Sequence, residues 1–417
     1  MKTSRHFVFF AAKKMSYSHY HTFEKELTRL REKGQFRFLN TITHRNVIEA
    51  DFNGKRYLNL SSNDYLGLGG NARLLSEFLE TRSGDDVLDA FGLTSSSSRL
   101  LTGNTHAYDL LEEQLKQVYR REAACVFNSG YHANIGIVSA ISDRHDLILS
   151  DKLNHASIMD GLKLADADFL RYRHLDYDHL EHLLQKHRDA YRRVLIISES
   201  VFSMDGDVAD LTRLVALKKA YGAFLLVDEA HALGVFGKTG CGVCEEEDLV
   251  QEIDMIVGPL GKAMASLGAF AVMSQTIKEF LVNTMRPFIF TTALPPILLN
   301  WTRFLAQKIV NMEPQRQHLR ELAARFRNAL RQQGLHTRGT SQIIPVIIGE
   351  NTTALKVSER LRERGFLVFA IRPPTVPPKT ARLRLSLNAE MTWQQLETIP
   401  TIIGECLHDL SLDPART

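Results

Sequence analysis

The chain of 417 residues is 44% hydrophobic and 24% charged, enough apolar material for a sizeable core and for two or three domains. Lys and Arg number 51 against 48 Asp and Glu, a formal net charge of +3 that is too balanced for a nucleic-acid groove or an anionic membrane surface as partner. No apolar run approaches the ~20 residues of a membrane-spanning helix, and four cysteines in this length fit a reducing compartment, so the cytoplasm is expected.

The apolar stretch His6 to Ala12 is short and flanked by polar residues, which argues against a cleaved signal peptide and leaves Met15 as an alternative start. Phe23, Leu27 and Leu30 follow at helical spacing, and Phe36, Arg37 and Phe38 read as an arm returning to the body, so residues 1–60 are taken as an N-terminal arm and helix. Between 120 and 260, the apolar runs Ala124 to Phe127, Leu147 to Leu149, Val194 to Ile197, Ala223 to Val227 and Met255 to Val257 alternate with helical patterns. Strands alternating with helices predict a parallel sheet covered on both faces, within a large domain over 61–297. The runs stop at Asn128-Ser129-Gly130, Ser150-Asp151, Glu199-Ser200, Asp228 to His231 and Gly258 to Lys262. Ligands of open α/β sheets bind at the carboxyl ends of strands, so these stops converge on one expected site. After Pro295-Pro296 the pattern changes to a long helical stretch, a run Ile343 to Ile348, a helix over Thr353 to Arg364, a run Phe366 to Ile371 and the alternating Ala381, Leu383, Leu385, Leu387. Residues 298–417 are therefore expected to form a smaller α+β domain.

Taken singly, Asp228 is a helix cap, His231 a surface residue and Lys262 a solvated one. Together they match what pyridoxal 5'-phosphate (PLP) requires: a buried carboxylate that keeps the ring nitrogen protonated, and an amine of depressed pKa that holds the aldehyde. Ser129-Gly130-Tyr131 follows a strand and opens a helical pattern, where backbone N–H groups at a positive helix end suit a phosphate; a plain strand-to-helix turn is the alternative. Arg382 and Arg384 sit two apart on an alternating strand, hence on one face, as a carboxylate-binding fork or as a solvated face. Cys241-Gly242-Val243-Cys244 has the spacing of a redox motif or a zinc half-site, but no second pair completes four zinc ligands, so it is read as incidental and no metal is expected.

With Asn63-Asp64-Tyr65-Leu66-Gly67 and His155-Ala156-Ser157, these residues resemble the α-oxoamine synthases, aspartate-aminotransferase-like (fold type I) PLP enzymes, over most of residues 20 to 410. The resemblance implies a mainly parallel central sheet, a smaller C-terminal α+β domain, PLP as cofactor and a homodimer with shared active sites. It implies that His155 stacks on the cofactor ring and that His231 bonds its phenolic oxygen. Ser203, with Ser200 in the same segment, would line the pocket, and Ser129, Gly130 and Tyr131 would meet the phosphate. A hydroxyl of Thr291 or Thr292 from the neighbouring subunit would complete that cradle. Arg384 would hold an amino-acid carboxylate, with Asn63 also among the substrate contacts. The segment Ile371-Arg372-Pro373-Pro374-Thr375-Val376-Pro377 is similar to the biotin-pathway branch. That likeness implies L-alanine and a pimeloyl thioester of coenzyme A or acyl carrier protein as substrates, with Thr375 nearby. Arg37 would reach the acyl chain or its carrier, a surface arginine being the other description.

The rival readings are a sibling that condenses glycine with acetyl-CoA or uses a long-chain acyl donor, an aminotransferase on the same fold, and a non-catalytic subunit. Lys262 argues against the last. The chain departs from the family pattern at Pro259, where relatives carry a Thr three residues before the lysine, and at Ser95 to Ser98, where they carry glycines. One phosphate contact should be lost, and the serine run should be strained wherever the backbone turns left-handed.

Overall fold

Three sheets emerge in the computed structural model, which describes residues 20–37 and 39–411. The readings placed on His6 to Ala12, Met15 and Phe38 lie outside the described residues. Strands β1 (Ile42–Arg45), β2 (Glu49–Phe52) and β3 (Lys55–Asn59) form an antiparallel meander. The large sheet comprises β4 (Ala123–Phe127), β5 (Asp146–Asp151), β6 (Asp168–Tyr172), β7 (Arg193–Glu199), β8 (Phe224–Asp228), β9 (Met255–Pro259) and β10 (Ala269–Met273). Its order is β4-β10-β9-β8-β7-β5-β6.

All five expected runs are strands of this sheet, and β9-β8-β7-β5-β6 pair in parallel. Two strands escape the sequence reading for physical reasons. The edge strand β6 (DFLRY) is mostly solvent-facing and lacks an apolar run, whereas β10 is antiparallel to both β9 and β4 and reaches its partner without an intervening helix. Side chains alternate between faces. Ile148, Ile197, Leu226 and Val257 enter one apolar cluster with Ile137 and Leu281, while Leu149, Ile196, Leu225 and Ile256 enter the other with Leu214 and Leu305.

The run Phe366 to Ile371 is not one strand. It splits into β12 (Phe366–Leu367), parallel to β3, and β13 (Ala370–Ile371), which joins β11 (Ile343–Gly349) and β14 (Ala381–Ser386) in the order β11-β14-β13. The Ser61 hydroxyl makes the division possible: it donates to Leu367 O at 3.4 Å and accepts from Phe369 N at 3.1 Å, satisfying backbone groups where the ladder breaks. The preceding helix spans Asn351–Glu363.

The helix at 20–32 forms where the apolar spacing placed it, yet Phe23 is 65% and Leu27 40% exposed, so the described residues do not cover that face. In the serine run, Ser96 takes φ +49°, the left-handed geometry expected to be strained. Hydroxyl bonds offset it: Ser96 N donates to Thr94 Oγ1 at 3.0 Å, and Ser95 Oγ donates to Leu294 O at 2.7 Å. Cys241 and Cys244 are free and buried, and burial pushes the Cys241 thiol up to about 12. Among the described residues no helix is long and apolar enough to cross a membrane, and no group of His, Cys, Asp or Glu could hold a metal ion.

Candidate active site

The strand ends of β7, β8 and β9 converge, and the loop after β9 turns Lys262 back over them. Lys262 Nζ lies 3.0 Å from His231 Nε2, and His231 Nδ1 lies 2.6 Å from the Tyr65 hydroxyl. That hydroxyl also meets Asn63 Oδ1 at 3.1 Å and accepts from Arg384 Nη2 at 3.3 Å. One continuous hydrogen-bonded line thus runs from the lysine at the end of the large sheet to an arginine on β14 of the small one. Desolvation, with the Arg384 charge adding to it, lowers the Lys262 amine to about 8 despite the opposing pull of Asp228 and Glu199. Desolvation also holds His231 well below the ordinary histidine value, assisted by Lys262, so its ring is neutral and each nitrogen has a separate role.

Asp228 ends β8 and is buried. Its Oδ2 accepts from Asn134 Nδ2 at 2.7 Å and its Oδ1 from Ala230 N at 2.8 Å. Glu199 ends β7 directly opposite it in the parallel register, so two buried carboxyl groups lie side by side. Burial and the neighbouring Asp228 push Glu199 up to about 8. Glu199 Oε1 and Asn134 Oδ1 are buried with no hydrogen-bond partner.

Two helix starts border the pocket. Ser129 caps the helix Gly130–Ala140, accepting from His132 N at 3.1 Å. Gly130 is required by close approach: a Cβ there would come within 2.7 Å of Pro259 Cγ. Tyr131 is exposed and its hydroxyl donates to Asp160; with His132 N taken by Ser129, the backbone N–H groups of Gly130 and Tyr131 are the remaining donors of the first turn. His155 caps the helix Ala156–Leu164 through Nδ1, which accepts from Ser157 N at 3.2 Å. Its ring lies open in the cleft, and partial desolvation lowers its pKa against the pull of Asp228. Thr292 O accepts from Asn128 Nδ2 at 2.7 Å, which lays the Thr291-Thr292 segment beside the Ser129 helix start of its own chain.

Arg382 and Arg384 share a face of β14, as their spacing predicts, but the solvated-face alternative fails because they are 2% and 8% exposed. Arg384 donates from Nε to Ser203 O at 2.6 Å, from Nη1 to Ser386 Oγ at 2.8 Å and from Nη2 to Asn63 Oδ1 at 3.1 Å. Arg382 is committed elsewhere, to Asp205 Oδ1 at 2.6 Å. Ser203 therefore enters the site through its carbonyl. The exposed Arg37 donates to Thr375 Oγ1 at 2.7 Å, so these two expected residues meet each other at the rim. Tyr65, Glu199 and Asn134 belong to the site although the sequence pattern does not single them out as functional. Tyr65 lies inside the Asn63 to Gly67 motif and Glu199 at a strand stop, but nothing in the pattern around Asn134 marks it.

The Aminotransferase class I and II family profile matches residues 55–403. The 8-amino-7-oxononanoate synthase of Chlorobaculum parvum is 51% identical over 375 residues, 90% of this chain and 96% of that protein. Serine palmitoyltransferase from S. paucimobilis, solved with a bound PLP-myriocin aldimine, superposes with a TM-score of 0.85 at 29% identity, covering 95% of this chain and 99% of that one. The 8-amino-7-oxononanoate synthase of Francisella tularensis gives a TM-score of 0.71 at 28% identity over 85% of this chain and 99% of that one.

Proposed function

Because the chain belongs to the aminotransferase class I and II family, and within it to the α-oxoamine synthases, we propose that it is a PLP-dependent C-acyltransferase performing the 8-amino-7-oxononanoate synthase reaction of biotin biosynthesis. L-alanine and a pimeloyl thioester are joined, with release of carbon dioxide and the thiol carrier, coenzyme A or acyl carrier protein. The observation that carries this reading is identity near 50% over nine-tenths of the chain to synthases of that name, combined with the Lys262–His231–Tyr65–Arg384 line.

The residues fit the cofactor. A buried carboxylate, an amine of lowered pKa, a close-approach glycine at a helix start and two unpartnered buried oxygens are gathered around the ends of β7, β8 and β9. Asp228 would hold the ring nitrogen, His155 the ring face, His231 the phenolic oxygen, Lys262 the aldehyde, and Ser129, Gly130 and Tyr131 the phosphate. When bound, PLP supplies a cationic ring that stabilises negative charge at the amino acid's α-carbon. Lys262 Nζ, neutral in an appreciable fraction near pH 7, takes the α-proton of alanine and later returns a proton to the product. His231 orients that amine through Nε2 while Tyr65 fixes the ring from Nδ1. Arg384 retains a second Nη1 hydrogen beyond its bond to Ser386, and this donor would hold the alanine carboxylate until it leaves as carbon dioxide. Arg37 and Thr375, bonded to each other, would meet the acyl chain or its carrier.

The exposed Phe23 and Leu27 face fits a homodimer, in which Thr291 or Thr292 of one subunit would complete the other's phosphate cradle. Four free, buried cysteines fit the cytoplasm. The test is mass analysis of the product from alanine with a pimeloyl thioester, run beside glycine with acetyl-CoA. The 8-amino-7-oxononanoate mass, with carbon dioxide released only when thioester is present, is expected. Product from glycine alone would transfer the assignment to the sibling activity, and keto acid without carbon dioxide would indicate an aminotransferase.

A further inference from the structure

Outside the reaction line, a second cluster of charges stands at the ends of three neighbouring strands. Asp151 closes β5, His174 follows β6, and Asp207 lies in the turn after β7. His174 Nδ1 is 2.9 Å from Asp151 Oδ1 and its Nε2 is 3.2 Å from Asp207 Oδ2, while its ring packs edge-on against Phe202 at 4.4 Å between centroids. The imidazole is 21% exposed and the Asp151 carboxylate fully buried. Asp151 additionally accepts from Leu153 N at 2.7 Å and Leu175 N at 3.0 Å, so its position is fixed by the backbone. Phe202 and Asp207 belong to one small hairpin, closed by the Val201–Val208 bridge and by Phe202 N donating to Asp207 O at 2.9 Å. Gly206, at φ +69°, makes its tip, and a Cβ there would come within 2.1 Å of Ile343 O. The other side of this hairpin carries the arginines: Ser203 O receives Arg384 Nε and Asp205 receives Arg382.

We propose that Asp151, His174 and Asp207 form a charged clamp that positions the Phe202–Asp207 hairpin and, through the Ser203 carbonyl, the Arg384 guanidinium, which makes His174 a positioning residue for amino-acid binding. This rests on the reading of Arg384 as the carboxylate holder. A neutral imidazole offers one donor and one acceptor, and the acceptor nitrogen would face a carboxylate oxygen; only the cation donates to both. The two carboxylates accordingly raise His174 to about 9 against its desolvation. The other titratable groups around the cluster are Tyr172 of β6, and Tyr177 with Asp210 at the edge of the hairpin; the two tyrosines keep their protons to high pH. The clamp is therefore charged through the neutral range and released as the pH passes about 9.

The test compares His174→Gln, Asp207→Asn and Arg384→Gln holoenzymes for alanine dissociation constant, KM and kcat, together with hydrogen exchange of the 200–209 backbone. For His174→Gln we expect alanine affinity five- to twentyfold weaker, kcat within about threefold, and faster exchange of the Gly206 and Ala209 amides. In the wild type, alanine affinity should fall above pH 9, a fall absent in His174→Gln and shifted to lower pH in Asp207→Asn. Unchanged exchange and affinity in both clamp variants, with weakened affinity in Arg384→Gln, would overturn the clamp alone. If Arg384→Gln itself leaves alanine affinity intact, the carboxylate reading fails and the clamp's link to substrate binding fails with it, whatever the exchange shows. Loss of kcat at constant affinity in His174→Gln would also overturn the proposal.

Discussion

The nucleophilicity of Lys262 can be measured without cofactor or substrate. With the amine lowered from 10.5 to about 8, about one molecule in ten carries it neutral at pH 7, against about one in 3,000 for an ordinary lysine, a difference of about 300-fold in reactive amine. Competitive labelling of the apoprotein with a small amine-directed reagent, with the Lys262 peptide quantified by mass spectrometry, reads this directly. Labelling should climb tenfold per pH unit from 6, bend near 8 and then level, while exposed lysines go on climbing to beyond 10. The causes carry signs of their own. Asp228 favours the ammonium form, so Asp228→Asn should move the bend to lower pH; Arg384 disfavours it, so Arg384→Gln should move the bend to higher pH. A Lys262 profile that rises unbroken through pH 10, or bends that move opposite to these directions, would refute the reasoning.

Two further outcomes follow from neighbours of that amine. Glu199 is held at about 8 against an ordinary 4.5, so the folded protein keeps a proton that the unfolded chain gives up, and stability present below 4.5 is lost as pH rises toward 8. Glu199→Gln removes that loss: its unfolding free energy relative to wild type should improve steadily from pH 5 to 8, on the order of 1 kcal/mol per pH unit, and parallel curves would exclude a protonated Glu199. Pro259 packs against Gly130 and brings no hydroxyl to the helix start, so Pro259→Thr should slow cofactor dissociation about three- to tenfold, as one added hydrogen bond to a phosphate would. An unchanged or faster rate would count against a missing contact at that position.

The strands that hold the site are legible in the sequence because a buried parallel strand must be an unbroken apolar run, and Val194 to Ile197 and Ala223 to Val227 are such runs. The exceptions obey the same physics. Strand β6 sits at an edge and need not be apolar, and β10 runs against its neighbours, so no helix punctuates it. The division of Phe366 to Ile371 depends on the hydroxyl of Ser61, a residue some 300 positions earlier, which no local window contains.

The site divides along the same boundary. Asp228, His231 and Lys262 carry charge or nucleophilicity at strand ends, and their residue types and spacing are enough to announce a chemistry. Tyr65, Glu199 and His174 do not, because their roles arise only from what the fold sets opposite them. A tyrosine joins the line because His231 and Arg384 converge on its hydroxyl, and Glu199 keeps a proton because strand register places Asp228 beside it. His174 holds a cation because two carboxylates, one ending β5 and one in the turn after β7, enclose it. In each case the property belongs to a pair or a trio separated by tens to hundreds of residues. A substitution two residues away along the chain can leave it intact, while one on the facing strand abolishes it. For that reason Asp207→Asn should alter the titration of His174 more than Asp176→Asn, which is far closer to the imidazole in sequence but pairs instead with Arg173.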